Sequence, residues 1–239
     1  MNMKKKTNLT LLSVLFIGAL SLSAQAEIFK VDFSGKTTTY PNGAMSINRI
    51  DFSISVYSTL KTACEDVSSI TITAPDGTLL PLDPLRDWQA YGQNYYAMFT
   101  ADNFNSRVIP SGTYKITVKD RGGKSITKTL ALSVKFLPVV TVVAPTQGAT
   151  VPYVYRFQWN AVPGAKYYLI KLWDEWWDEP VYWNFEGGRS LRTDKTYYDL
   201  CLGDLVPGHA YQLKIEARDN DQYTSNRSRS ELIKFNVAP

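Results

Sequence analysis

Apolar and polar residues alternate with a period of two through most of this chain. Ile50, Phe52, Ile54 and Val56 alternate with polar neighbours, and so do Ile70 and Ile72. Tyr114, Ile116 and Val118 repeat the pattern, and Ile126, Leu130, Leu132 and Val134 return it. The same rhythm runs through Tyr155, Phe157 and Trp159, and through Tyr168, Ile170 and Leu172, with Tyr167, Leu169, Lys171 and Trp173 facing the other way. It recurs at Tyr211, Leu213, Ile215 and Ala217, and again at Ile233, Phe235 and Val237. A period of two describes strands with one face on a core and one in water. No stretch keeps helical spacing. Turn chemistry separates the runs, at Ala74-Pro75-Asp76-Gly77, Asp120-Arg121-Gly122-Gly123 and Val162-Pro163-Gly164-Ala165. Pro81 to Tyr96 is less regular and reads as a long loop, with Trp88, Tyr91, Tyr95 and Tyr96 folded over one end of the core.

Two stretches are near-copies of each other. Ile109-Pro110-Ser111-Gly112-Thr113-Tyr114 and Leu205-Val206-Pro207-Gly208-His209-Ala210-Tyr211 each place a turn before a Tyr that opens an alternating run. In a β-sandwich such a Tyr forms a corner, its hydroxyl bonded to the upstream backbone. Two corners, Tyr114 and Tyr211, predict an all-β chain of two tandem antiparallel β-sandwiches. The expected boundaries are residues 27–137 and 138–239, joined at Leu137-Pro138, where proline restricts the residue before it and stiffens the junction. A sandwich of this class takes about 100 residues and can bury a usable core without a disulfide.

The first 26 residues read as an export signal. Lys4, Lys5 and Lys6 form its basic region, Leu11 to Leu20 its apolar run and Ala24-Gln25-Ala26 its cleavage pattern, so the mature chain is expected to start at Glu27. The apolar run is short for a membrane span, and no later segment approaches span length. The three lysines carry most of the formal net charge of +4. Residues 27–137 hold 12 bases and 10 acids and residues 138–239 hold 11 and 12, a balance that speaks against nucleic-acid binding. The expected location is the periplasm or the outside of the cell.

Residues 139–239 resemble a fibronectin type III domain. Trp159 matches the core Trp of that family's second strand, and Leu205, Pro207, Gly208 and Tyr211 match its corner motif. The segment from Trp173 to Arg192 departs from the pattern by being longer and more aromatic. The preceding residues resemble bacterial immunoglobulin-like modules through their corner and final hairpin. The resemblance implies a seven-stranded sandwich used as a spacer or binding module, and no chemistry. It also bears on Cys64 and Cys201, the only two cysteines. In the type III topology the turn holding Cys201 lies away from the incoming linker, beyond disulfide reach of the first domain. Two separate buried thiols are the expectation, with an interdomain or intermolecular bridge as the alternatives.

Four of six tryptophans lie between Trp173 and Phe185. The type III alignment puts Trp176 and Trp177 at a turn with little core above them, and exposed indoles need a reason. Trp173, Trp176, Trp177, Tyr182 and Trp183 are therefore the candidate contact surface. Three readings stay open: the rings cover their own fold, they meet a protein partner, or they stack on a surface glycan whose hydroxyls donate to Asp174, Glu175, Asp178 and Glu179. Those four acids could also suggest paired catalytic carboxylates, but neighbours on one exposed turn rarely acquire the split acidities such work needs. His209, the only histidine, reads as a surface turn residue. There is no nucleophile elbow, paired-Cys metal motif or phosphate-binding Gly loop, so neither an enzyme nor a cofactor is expected. Asp219-Asn220-Asp221 reads as turn chemistry, and Asn226-Arg227-Ser228 is a formal glycosylation triplet. The sequence thus reads as an exported, non-enzymatic binding or adhesion protein. The alternatives are a structural or spacer subunit of an envelope assembly and a carbohydrate-binding accessory protein.

Overall fold

A computed structural model describes residues 27–59, 63–89, 94–182, 191–220 and 225–239. The first half contains β1 (Ile28–Asn42), β2 (Met45–Ser58), β3 (Val67–Thr73), β4 (Leu79–Leu82), β5 (Trp88–Gln89), β6 (Asn94–Thr100), β7 (Gly112–Asp120) and β8 (Ser125–Leu132). One layer runs β1-β2-β6-β5 and the facing layer β4-β3-β7-β8. The alternating residues meet between them. Phe52 is fully buried, with its ring 5.3 Å from Phe33, 6.2 Å from Phe99 and 5.2 Å from Tyr114. Burying a side chain of this size contributes about 2–3 kcal/mol. Gly35 makes room for it: a Cβ there would stand 2.9 Å from the Phe52 ring and from Leu132.

The second half contains β9 (Val142–Ala144), β10 (Thr150–Val151), β11 (Arg156–Trp159), β12 (Tyr167–Asp174), β13 (Glu179–Tyr182), β14 (Leu191–Thr193), β15 (Tyr197–Asp199), β16 (Ala210–Arg218), β17 (Arg227–Arg229) and β18 (Ile233–Val237). Three strands, β15-β11-β9, make one layer. The other is built on β12 and β16, with β13 and β14 on the far edge of β12, and β17 and β18 consecutive along β16. Trp159 is buried edge-on to Tyr168, with ring centroids 5.4 Å apart. The Tyr114 hydroxyl donates to the Pro110 carbonyl at 2.7 Å, and the Val206 amide donates to the Tyr211 hydroxyl at 2.8 Å. The chain is all-β in two tandem sandwiches, immunoglobulin-like and then fibronectin type III-like, and α1 (Ala63–Asp66) is a single turn.

Two features differ from the sequence reading. The region read as a loop from Pro81 to Tyr96 carries the end of β4, then β5 and the start of β6, and Tyr95 is fully buried rather than lying over an end. Tyr91 lies outside the described residues. The second difference is larger. β1 and β2 form a hairpin arm longer than the first sandwich requires, closed at Gly43-Ala44. The arm reaches the second sandwich, where Thr38 and Thr39 pair in parallel with Arg227 and Ser228 of β17. Among the described residues, that pairing fuses one layer from each half into a single sheet of eleven strands. Leu137, read as linker, is buried in the second core.

Polar contacts fix the seam. The Asp51 carboxylate is fully buried; its Oδ2 accepts from Thr38 at 2.9 Å and from the Arg227 Nη2 at 3.1 Å, while Oδ1 lies 2.7 Å from Arg49 Nε. Arg227 Nε also donates to the Thr38 hydroxyl at 2.9 Å. The Tyr40 ring is faced by Arg49 from its own arm, 3.9 Å from guanidinium to centroid, and by Arg229 from β17 at 4.9 Å. Thr37 donates to the Lys135 carbonyl at 2.8 Å and also bonds Asn226. Thr38, Asp51 and Arg227 are tolerated as buried polar groups because they are matched across the seam.

Candidate functional site

β12 ends in a tight turn to β13. Asp174 is the last residue of β12, and the turn Glu175-Trp176-Trp177-Asp178 closes with Asp178 at φ +54°, a left-handed conformation Asp adopts more readily than most residues. The Asp174 carboxylate organises the turn from inside. It is 1% exposed. Its Oδ1 accepts from the Trp176 amide at 2.8 Å and from the Trp177 amide at 3.3 Å, and its Oδ2 lies 2.9 Å from His209 Nδ1. An ionised carboxylate only accepts, so His209 presents a proton on Nδ1. Burial pushes the Asp174 carboxyl up. The hydrogen bonds from His209, from the two amides and from the Tyr211 hydroxyl outweigh it and hold the group below the ordinary carboxylate range.

The indoles stand on this anchor. Trp176 stacks on the His209 imidazole with centroids 5.1 Å apart and planes within 9°, while Trp177 meets the same imidazole at 4.8 Å and 87°. The two indole planes are therefore nearly perpendicular. Trp176 is 71% exposed and Trp177 56%. His209 continues inward, stacked at 6.4 Å on Tyr211, which stacks at 5.6 Å on Phe235. An aromatic column thus runs from the second core to the open turn.

Of the five expected contact residues, the described structure brings Trp176 and Trp177 together. Trp173 is half-buried, in register with Gln212 on the opposite face of β12 from Asp174. Tyr182 pairs with Leu172 through the backbone of β13, and Trp183 lies outside the described residues. His209 corrects the sequence reading: it is buried and central rather than a surface turn residue. It was missed because Asp174 and His209 are 35 positions apart, and only the register Asp174↔Tyr211 makes them neighbours. The acids are also committed differently from the glycan reading. Asp174 is saturated, and Glu175 Oε1 accepts from Lys234 at 2.7 Å and from Gln212 at 2.5 Å. These contacts hold the Glu175 carboxyl below its usual range.

Other candidates resolve locally. Cys201 is exposed and unbridged, which corrects the expectation of a buried thiol there; its amide donates to Asp204 at 2.6 Å in a turn. The Cys64 side chain lies outside the described residues. Asp219 accepts from the Asn226 amide at 3.0 Å and from the Asn226 side chain at 2.6 Å. With its amide oxygen on Thr37, Asn226 is committed at both ends, which disfavours glycan attachment in the folded protein. Asp221 lies outside the described residues. Among the described residues no group of three or more His, Cys, Asp or Glu is placed to hold a metal ion, and no helix is long and apolar enough to cross a membrane.

A three-stranded layer facing the layer built on β12 and β16 gives the second half a fibronectin type III-like fold. No family model and no curated protein matches the sequence. Among solved structures the chain is similar to the fibronectin(III)-like modules of Clostridium thermocellum CbhA, at 16% identity over 87% of this chain and 94% of that one, with a TM-score of 0.33. It is similar to the chicken CNTN1 FN1–FN3 domains at 10% identity over 85% and 66%, with a TM-score of 0.39. It is also similar to a β-1,2-glucanase from Parabacteroides distasonis at 13% identity over 90% and 37%, with a TM-score of 0.29.

Proposed function

We propose that this chain is an exported, non-enzymatic binding module that recognises a protein partner through Trp176 and Trp177. The observation that carries the reading is a pair of open indoles held from beneath by the buried Asp174–His209 pair. Each indole offers a large apolar area, and Trp is enriched among residues that dominate interface energies. Rings already fixed in place lose little side-chain freedom when a partner docks. The near-perpendicular planes favour protein over glycan: a platform for successive sugar rings needs coplanar faces, whereas two crossed planes suit one apolar side chain. Two of the four nearby carboxylates are engaged within the protein, which removes acceptors a sugar would use. Export rests on the N-terminal signal pattern.

The test is capture from an envelope protein fraction on immobilised chain, alongside affinity electrophoresis in a panel of polysaccharides. The expected result is a protein retained by the wild type and weakened at least ~10-fold by Trp176→Ala or Trp177→Ala, with no polysaccharide retardation. Retention unchanged in the double variant, or retardation that depends on these tryptophans, would overturn the reading.

A further inference from the structure

Near charge balance along the sequence conceals a strong local imbalance on the fused sheet. Strand register places Lys171 opposite Lys214, Leu169 opposite Glu216 and Tyr167 opposite Arg218. Across the next pairings Glu216 faces Arg229, Arg218 faces Arg227, and Arg227 faces Thr38. Within the arm, Thr38 is opposite Arg49 and Lys36 opposite Asp51. These residues share one face of the sheet, on strands about 4.8 Å apart. Seven cations, Lys36, Arg49, Lys171, Lys214, Arg218, Arg227 and Arg229, crowd around two buried carboxylates, Asp51 and Glu216, while Glu231 acts on Lys214 from the rim.

Both carboxylates are already shared. Glu216 accepts from Arg218 at 2.7 Å, from Arg229 at 3.0 Å and from Lys171 at 3.2 Å, and Asp51 serves Arg49, Arg227 and Thr38. Like charges directly opposite on neighbouring strands destabilise a sheet, and Lys171–Lys214 and Arg218–Arg227 are two such pairs. Burial and then the neighbouring Arg227 push the Lys36 ammonium down to about 8, and burial also lowers Lys171 and Lys214. Among the described residues, positive charge on this face is therefore concentrated beyond the two carboxylates it surrounds.

We infer that this seam face binds an oxyanion of the phosphate class. Phosphate carries up to two negative charges and several strong acceptor oxygens, and the planar forks of arginine match it in pairs. A lone carboxylate brings a single charge to the same excess. The Tyr40 and Tyr167 rings on this face are occupied by Arg49, Arg229 and Arg192, so these two offer charge rather than open faces for stacking. The phosphate can come free or carried along a polymer.

The test compares inorganic phosphate, long-chain polyphosphate and chloride at equal ionic strength, by calorimetric titration and thermal unfolding of the full chain. Phosphate is expected to bind saturably and raise the melting temperature above the chloride control. Lys36→Met and Lys214→Met are each expected to weaken it about 10-fold. Among the described residues Lys214 donates none of the side-chain hydrogen bonds that build the seam, so its variant reports on binding even if Lys36→Met unfolds. Tighter binding of polyphosphate per phosphate assigns a polymer as the source, and equal binding assigns the free ion. Absence of saturable binding by either ligand, or unchanged affinity in Lys214→Met, would overturn the inference. Trp176→Ala/Trp177→Ala is expected to leave phosphate binding intact, which separates this site from the aromatic one.

Discussion

Asp174, buried, and Lys36, half-buried, are two charged residues with opposite consequences. Asp174 accepts several donors and titrates below its ordinary value, so its ionised form favours the fold. Its contribution is complete above the unfolded value of 3.8 and is lost as the pH falls through the lower folded value. Asp174→Ala removes the acceptor for two amides and for His209, and is expected to cost about 2–3 kcal/mol in urea unfolding at pH 7 while releasing the indoles. A variant as stable as wild type with unaltered partner binding would show that the anchor is dispensable. Lys36 behaves in the reverse sense. Its folded value of about 8 lies below the unfolded 10.5. Below pH 8 the fold carries the full cost of a half-buried ammonium faced by Arg227 and Arg218 and only partly offset by Asp51 and Glu216. Between pH 8 and 10.5 the unfolded chain binds more protons, so stability rises with pH, by at most roughly 3 kcal/mol. The expected observation is a melting temperature that climbs from pH 7.5 to 9.5 in wild type and stays flat in Lys36→Met. A fall over that interval in wild type would contradict the assignment.

The arm formed by β1 and β2 shows at the level of elements where sequence reading works and where it stops. Alternation and the two Tyr corners locate β2, β3, β7, β8, β12, β16 and β18, because a core-facing apolar row recurs at every second residue of each. The distal half of β1 carries no such signature. Its Thr37, Thr38 and Thr39 are consecutive buried polar residues; Thr38 and Thr39 pair with a strand almost 190 positions away, and Arg227 of that strand bonds the Thr38 hydroxyl. Polar residues buried against polar partners leave no periodic trace in a single sequence. The candidate site divides the same way: Trp176 and Trp177 stand out by composition, whereas Asp174 and His209 acquire their role only from the β12–β16 register. The arm's hold on β17 can be measured. Arg227→Met leaves Asp51 buried with Arg49 and Thr38 alone, and is expected to destabilise by about 3 kcal/mol in denaturant unfolding. Adding Asp51→Asn is expected to cost less than the sum of the single changes, because the second change relieves the charge the first left behind. Strict additivity would mean the two groups do not interact.

Two β-sandwiches joined by a single short crossing of the chain would ordinarily behave as beads, each reorienting on its own. This chain has a second connection: β1 of one half is hydrogen-bonded into the sheet of the other, and Tyr40 is held between guanidinium groups from both. The pairing also covers part of the outer edge of β17, while β10 covers β18, so a strand edge open to unwanted partners is occupied from within. The edge therefore helps fix how the halves face each other, and with it the relation between the indole pair and the cationic seam. Breaking the seam exposes buried charge on both sides at once, so neither half can unfold without loss to the other. Calorimetry of the wild type is accordingly expected to show one transition, with calorimetric and van't Hoff enthalpies equal. Combining Arg227→Met with Tyr40→Ala removes both the ionic and the stacked contact while leaving each sandwich core untouched, and is expected to split that transition in two. Two transitions already present in the wild type would show that the strand pairing does not couple the halves, and that the linker alone sets their arrangement.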